Sequence, residues 1–332
     1  MRMENSKRKI IAIVGPTASG KTGIGVRLAK EFSGEIISAD SRQVYRGLDI
    51  GTGKDLADFG EVKYHMIDIV DPEEKLTLFD YLPLARAAIE DIFSRGKLPI
   101  IVGGTGLYIQ ALAEGFQLEP ISNSEFLISK QIPNPKSQIS KITREQLEQS
   151  TISELNNILS KLDQEKWKNV DKKNAHRLIR AIELAQEGLR PIKIKPDFEV
   201  LQIGLDIPRA ELFERIDRRV DERFEVGMLE EVAVLLEKGV DPEWLKSLGL
   251  EYKKITEYVL SNKYYVLGDG SEKHDTKYLS HDTEFQAMSQ NLKWKIHQFA
   301  RRQLTWFRRF PEVNWLTDYK EIKRFVEIFL EH

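Results

Sequence analysis

The chain of 332 residues contains no cysteine. Disulfides and thiolate metal sites are therefore excluded, and a reducing compartment, the cytoplasm, is the default expectation. Long hydrophobic runs are missing too: residues 1–9 are polar and basic, and the apolar run at 10–14 is far too short for a signal peptide or membrane span. The sequence predicts a soluble protein with no membrane partner. Net charge is small, −2 at pH 7, with 50 basic and 52 acidic residues, a balance that does not by itself point to nucleic acid. The balance is local only in part. Between Glu284 and Glu312 there is no acid, whereas Lys293, Lys295, Arg301, Arg302, Arg308 and Arg309 all fall there, which leaves a basic face. No internal repeat is present. Apolar residues, at 41%, suffice for a sizeable core, in one large domain with an insertion or in two domains.

Apolar strand patterns at residues 10–14, 35–38, 64–70 and 98–102 alternate with helical patterns that run to residue 32 and over 78–95. This alternation predicts a parallel sheet covered by helices on both faces. From about residue 118 the character changes: Pro120, Pro133 and Pro135 sit among Ser and Asn, and a polar helical stretch follows over 144–162. A strand at 199–205 returns to the sheet, helical periodicity recurs over 209–238 and 292–309, and residues 268–283 read as a long mobile loop. The fold class expected is α/β, a phosphate-loop sheet flanked by helices. Residues 8–117 and 198–332 make the core, and 118–197 make an inserted, mainly helical segment.

Gly15-Pro16-Thr17-Ala18-Ser19-Gly20-Lys21-Thr22 fits G-x-x-x-x-G-K-[ST], preceded by a strand and followed by a helix. Backbone N–H groups and the helix N-terminus bind phosphate oxygens there, Lys21 supplies a point charge, and Thr22 offers its hydroxyl to Mg²⁺. The motif does not name the reaction. A nucleotide-switch machine carries an acid at the end of an apolar strand, but the run at 98–102 ends in Gly103-Gly104-Thr105, and Asp68 is the only close substitute. Asp40 ends the strand at 35–38 beside the phosphate loop, where open α/β sheets hold ligands. A carboxylate there serves as a general base, holds Mg²⁺ through water, or simply caps the loop.

Three motifs together, Gly15 to Thr22, the run Ser38-Ala39-Asp40-Ser41-Arg42-Gln43-Val44-Tyr45-Arg46-Gly47-Leu48-Asp49-Ile50-Gly51-Thr52-Gly53-Lys54, and Gly103-Gly104-Thr105-Gly106-Leu107-Tyr108, closely resemble the tRNA dimethylallyltransferases. Further similarity lies at 174–183, 215–231 and 301–308, so that most of the chain is covered. The resemblance implies a dimethylallyl diphosphate donor, Mg²⁺, and a tRNA acceptor held by its anticodon stem-loop, with transfer to N6 of the adenosine just 3′ of the anticodon. It implies donor-diphosphate contacts for Thr17, Lys21 and Arg219, a general base in Asp40, and an acceptor-framing residue in Thr105. A monomer is the default.

Diphosphate leaves well only when its developing charge is neutralised. Adenine N6 is a poor nucleophile that must be held in line with the allylic carbon, and an adenine in a folded loop must first be pulled from its stack. Ser41, Arg42 and Gln43 sit beside the base; Ser41 and Gln43 contact the adenine edge or make ordinary loop hydrogen bonds. On the helical pattern of 292–309, Ile296, Phe299, Ala300, Leu304 and Phe307 form one face, and Arg301 and Arg302 lie opposite, for solvent or phosphate. His176, Arg177 and Arg180 are a second set of tRNA candidates; for the two arginines the alternative is ion pairing with Glu183 or a neighbour. The chain departs from the family pattern over 117–173, which lacks the Asp-Pro and His-Pro-Asn-Asp landmarks. It departs again at Gly249-Leu250-Glu251, where the family has Gly-Tyr and then a basic residue. Three rival readings share the phosphate loop: prenylation of free adenine nucleotides, as in cytokinin synthesis, a small-molecule kinase, and a catalytically idle scaffold that binds RNA, which the intact Lys21, Thr22 and Asp40 argue against.

Overall fold

Residues Ile10 to Val14 are all fully buried, which in a strand means apolar cover on both faces. The protein is described here by a computed structural model covering residues 7–120, 142–261 and 283–331. Its strands are β1 (Arg8–Val14), β2 (Gly34–Ser38), β3 (Tyr64–His65), β4 (Leu98–Gly103), β5 (Phe116–Pro120), β6 (Leu189–Lys193), β7 (Phe198–Leu205) and β8 (Val313–Leu316). All but β5 and β6 form one sheet in the order β3-β2-β4-β1-β7-β8, parallel throughout. The expected α/β sheet with helices on both faces is what forms. Val26 and Leu28 of the helix Lys21–Glu31 and Ile322 and Val326 of the helix Tyr319–Glu331 pack on Ile11, Ile13, Ile36, Ile100 and Ile203. Each such side chain contributes at most ~1.5–3 kcal/mol by leaving water. Because every strand runs the same way, the carboxyl ends of β1, β2 and β4 open on one edge, where ligands of such sheets bind.

The chain divides into two compact units, Met1–Glu114 with Pro196–His332, and Gly115–Lys195. The second unit has its own core, Leu147, Leu155, Leu159, Leu178, Ile179 and Ile182. Its helices start sharply: Thr143 and Thr151 each accept from the backbone N–H three residues on and are met in return by Gln146 and Glu154. No helix among the described residues is long and apolar enough to cross a membrane.

Several local expectations need correction. The strand expected over 64–70 stops at His65, because Met66 and Asp68 turn into left-handed backbone (φ 65° and 55°) and only a single bridge between Tyr45 and Val70 survives. The turn aims Asp68 at the buried ammonium of Lys54, which also donates to Asp49 (2.6 Å) and to the carbonyl of Tyr45 (2.7 Å). Asp68 is thereby removed as a metal-holding acid. The helical run over 209–238 breaks at Gly227 (φ 104°) into Arg209–Glu225 and Met228–Glu237. The polar stretch over 144–162 is likewise two helices, Arg144–Glu148 and Ile152–Leu162, the second restarting at its Thr151 cap. Thr283–Phe307 begins nine residues before the expected start at 292. The β5–β6 pair, β8 and the C-terminal helix Tyr319–Glu331 were not expected. The loop read at 268–283, apart from Thr283, and Pro133 and Pro135 lie outside the described residues.

Candidate active site

At the end of β1 the chain must reverse over a few residues and present its amides outward. Gly20 (φ 86°) is the N-cap of the helix Lys21–Glu31, and Ala18 also adopts positive φ (60°). The Lys21 ammonium donates to the Pro16 carbonyl at 2.5 Å, and the Thr17 amide donates to Oε1 of Gln303 at 2.9 Å. At the end of β2, Oδ1 of Asp40 accepts from the Arg42 amide at 2.9 Å, an Asx turn that fixes the carboxylate. The Thr105 hydroxyl accepts from the Ser41 amide at 3.2 Å, and the Thr105 amide donates to the Ala39 carbonyl at 3.2 Å. Thr105 thus braces the loop that carries Asp40. Buried beneath, the Tyr81 hydroxyl donates to the Ser38 carbonyl at 2.8 Å, and burial raises the pKa of Tyr81 and pushes that of Tyr108 up to about 12.

These ends border a cleft lined by Thr17, Lys21, Thr22, Asp40, Arg42, Gln43, Arg219, Arg223 and Gln303, among others. A second, wider cleft meets it at Lys21, Thr22, Arg219 and Arg223. The electrostatics are those of crowded cations. Burial, and then the charge of Arg219, push the Lys21 ammonium down to about 7, against the pull of Asp40. Burial, and then Arg219, lower Arg223 to about 10, with Glu251 and Asp55 opposing. Burial would lower Arg42 as well, but Glu251, 2.6 Å away, and then Asp40 outweigh it and leave its pKa raised. Burial works against the charge of Glu251, yet Arg42 and then Arg223 hold its pKa below the usual carboxylate value. Arg219 pairs with Asp55 at 2.9 Å. Such an arrangement accepts a polyanion beside one carboxylate.

The sequence candidates divide accordingly. Thr17, Lys21, Thr22, Asp40, Arg42, Gln43 and Arg219 share the cleft, with Gly15, Pro16, Ala18, Ser19 and Gly20 forming the loop. Ser41 is exposed at its rim. Gln43 accepts from the Ser38 hydroxyl at 2.7 Å and donates to the Gly53 carbonyl at 3.0 Å, so its amide is engaged in the loop. In the other unit His176 and Arg177 are exposed; Arg177 lies 3.5 Å from Asp171, and Arg180 lies 3.1 Å from Glu183, which Arg144 shares. Arg301 and Arg302 are exposed on Thr283–Phe307, opposite buried Ile296, Ala300 and Phe307. The basic face is less uniform than the acid-free window implied, because Lys293 pairs with Asp221 (2.6 Å) and Arg308 with Asp206 (3.2 Å). Local sequence cannot see acids supplied by a distant helix or loop.

Sequence reasoning missed Arg223, Glu251 and Gln303 as parts of the site. A signal existed for two of them. Arg223 continues the four-residue spacing of Arg215 and Arg219, and Gln303 is a polar residue on the apolar side of its helix. Gly53 has φ 65°, a conformation that favours glycine, and a Cβ there would stand 1.7 Å from Nη2 of Arg223, so a side chain at this position would displace that guanidinium.

The chain matches the IPP transferase family model over residues 43–310 and the Isopentenyl transferase model over residues 8–63. It is 38% identical to a tRNA dimethylallyltransferase 2 of Shewanella sediminis, over 92% of each chain, and 39% identical to one of Treponema denticola, over 94% of this chain and 97% of that one. Among solved structures it is similar to the tRNA isopentenylpyrophosphate transferase of Bacillus halodurans (TM-score 0.64, 33% identity, 98% and 97% of the chains). A eukaryotic dimethylallyltransferase acting on tRNA is also similar (TM-score 0.66, 25% identity, 94% of this chain and 75% of that one). With the family model spanning most of its length and relatives of this identity covering nearly all of it, the chain belongs to the IPP transferase family, that of the tRNA dimethylallyltransferases.

Proposed function

We propose that the protein transfers a dimethylallyl group from dimethylallyl diphosphate to N6 of the adenosine 3′-adjacent to the anticodon of tRNA, releasing diphosphate. The observation that carries this reading is the convergence of Asp40, Lys21 and Arg219 on one cleft, a carboxylate beside two cations at the carboxyl ends of β1 and β2. Lys21, Arg219, Thr17 and the loop amides take the charge that develops on the departing diphosphate. As the N6–carbon bond forms and the carbon–oxygen bond breaks, the N6 proton passes to Asp40. Its Oδ1 is held by the Arg42 amide, so the carboxylate is oriented before substrate arrives. Thr105 sets the acceptor side by bracing this loop.

Mg²⁺ suits the residues present. The Thr22 hydroxyl and the Asp40 carboxylate line the cleft, and among the described residues no group of three or more His, Cys, Asp or Glu side chains forms a cage. That donor set matches an ion carried mainly by diphosphate oxygens and water. When bound, the ion neutralises diphosphate charge. For the anticodon stem-loop we assign the exposed Arg301, Arg302 and His176, and also Arg177 and Arg180, whose partners Asp171 and Glu183 RNA phosphates would displace. To the extruded base we assign Ser41, Arg42 and Gln43, the residues that follow Asp40 in the chain. The absence of cysteine suits a reducing compartment, the cytoplasm, and a monomer is the default state.

The test is transfer of label from dimethylallyl diphosphate, with Mg²⁺, to unmodified tRNA with an adenosine beside the anticodon, with AMP and ATP as parallel acceptors. Label in tRNA alone is expected. Label in nucleotide alone would move the protein to the cytokinin-type reaction, and label in neither would favour a kinase.

A further inference from the structure

We infer that Arg223 is a second guanidinium for the donor's diphosphate, set beside Arg219 and held in place by Glu251. The inference rests on the proposed reading of the cleft as a prenyl-diphosphate site. On the helix Arg209–Glu225, Arg219 and Arg223 are four residues apart and so neighbours on one face. Their tips converge. A Cβ built on Gly53 would lie 1.7 Å from Nη2 of Arg223 and 2.2 Å from Nη2 of Arg219, so both guanidinium groups crowd the same point above that glycine. With Lys21 and Thr22, these two arginines are the residues that line both clefts where they meet.

A purely structural buried arginine has its donors matched. Arg223 does not. Its side chain is 10% exposed; Nη1 donates to the Gly51 carbonyl at 3.3 Å, and Nε is buried with no hydrogen-bond partner among the described residues. The acid nearest its charge, Glu251, stands 3.6 Å away and is committed more closely to Arg42 at 2.6 Å. One buried carboxylate is thus divided between two guanidinium groups, and burial, and then the repulsion of Arg219 from the side, lower the Arg223 pKa. Arg219 has Asp55 at 2.9 Å as its own counter-charge, which leaves Arg223 only its distant share of Glu251; like charges held this close are costly, and a ligand with several anionic oxygens at the junction of the clefts relieves the cost. Glu251 is a positioning residue: it joins Arg42, whose amide holds Asp40, to Arg223 beside Lys21 and Arg219.

The experiment measures binding of inorganic diphosphate with Mg²⁺ to the full chain by calorimetry, for the unmodified protein, Arg223→Met and Arg223→Gln, with tRNA affinity as a second readout. Arg223→Met keeps the bulk and removes the charge. Arg223→Gln retains a donor for the Gly51 carbonyl and serves if the first variant fails to fold. Diphosphate affinity is expected to fall roughly ten- to hundredfold, the scale of a charge-assisted hydrogen bond, with tRNA affinity unchanged. A folded variant that binds diphosphate as tightly as the unmodified protein, or loses tRNA affinity in equal measure, would overturn the assignment. Failure of the unmodified protein to bind diphosphate would instead overturn the reading of the cleft on which the assignment rests.

Discussion

Thr17 and Gln303 are joined by a 2.9 Å hydrogen bond from the backbone amide of the phosphate loop to Oε1 of a side chain 286 residues away. Nε2 of the same glutamine donates to the Gly104 carbonyl at 2.9 Å, so one side chain ties the loop after β1 to the turn after β4. Replacing Gln303 by Leu leaves the Thr17 amide and the Gly104 carbonyl without this partner. The expected cost is ~1–3 kcal/mol of stability, read from urea denaturation, together with a raised KM for the donor. A stability equal to that of the unmodified protein would show that the tie is incidental.

Asp40→Asn keeps an oxygen for the Asx turn to Arg42 and removes the base. Turnover should fall by about 10²–10⁴-fold while donor binding stays nearly intact, as measured by single-turnover kinetics and calorimetry. Equal losses in turnover and donor binding would assign Asp40 to binding rather than proton transfer.

Lys21 is pushed down to about 7 from an ordinary 10.5, so above pH 7 the free protein carries increasingly neutral lysine. A diphosphate stabilises the ammonium and raises its pKa again, which makes donor binding take up a proton at pH 8. Affinity should fall as pH rises above about 7, and calorimetry in buffers of different ionisation enthalpy should detect the uptake. In Lys21→Met the uptake should vanish. The same depressed pKa means that the unfolded chain holds more protons between pH 7 and 10.5, so this group makes stability rise, not fall, across that window.

Arg301→Ala with Arg302→Ala removes two exposed cations for which no acidic partner is found among the described residues. tRNA affinity should weaken and its salt slope should flatten by roughly 0.7–0.9 per lost phosphate contact, as followed by filter binding across salt concentrations. An unchanged slope would leave this part of the helix as solvated surface.

The sequence determined β1, β2, β4 and β7, the phosphate loop and the place of Asp40, because these depend on residues adjacent in the chain. An apolar run of strand length, a glycine where backbone must turn left-handed, and a carboxylate one residue past a strand are each local facts, and parallel strands then bring their ends to one edge. Family membership was legible for the same reason. β3, by contrast, looked longer than it is, because the pattern over 64–70 carries no trace of Lys54, whose buried charge draws Asp68 out of the strand.

Only the tertiary structure decided which distant groups complete the cleft. Gln303 reaches Thr17, Glu251 is shared between Arg42 and Arg223, and Asp221 and Asp206 neutralise part of the basic helix, all across separations that no periodicity records. The physical reason is that charge and hydrogen-bond satisfaction in a buried site depend on what packing brings within a few ångströms. Glu251, which breaks the family's pattern when read along the chain, becomes in the fold the counter-charge of two arginines.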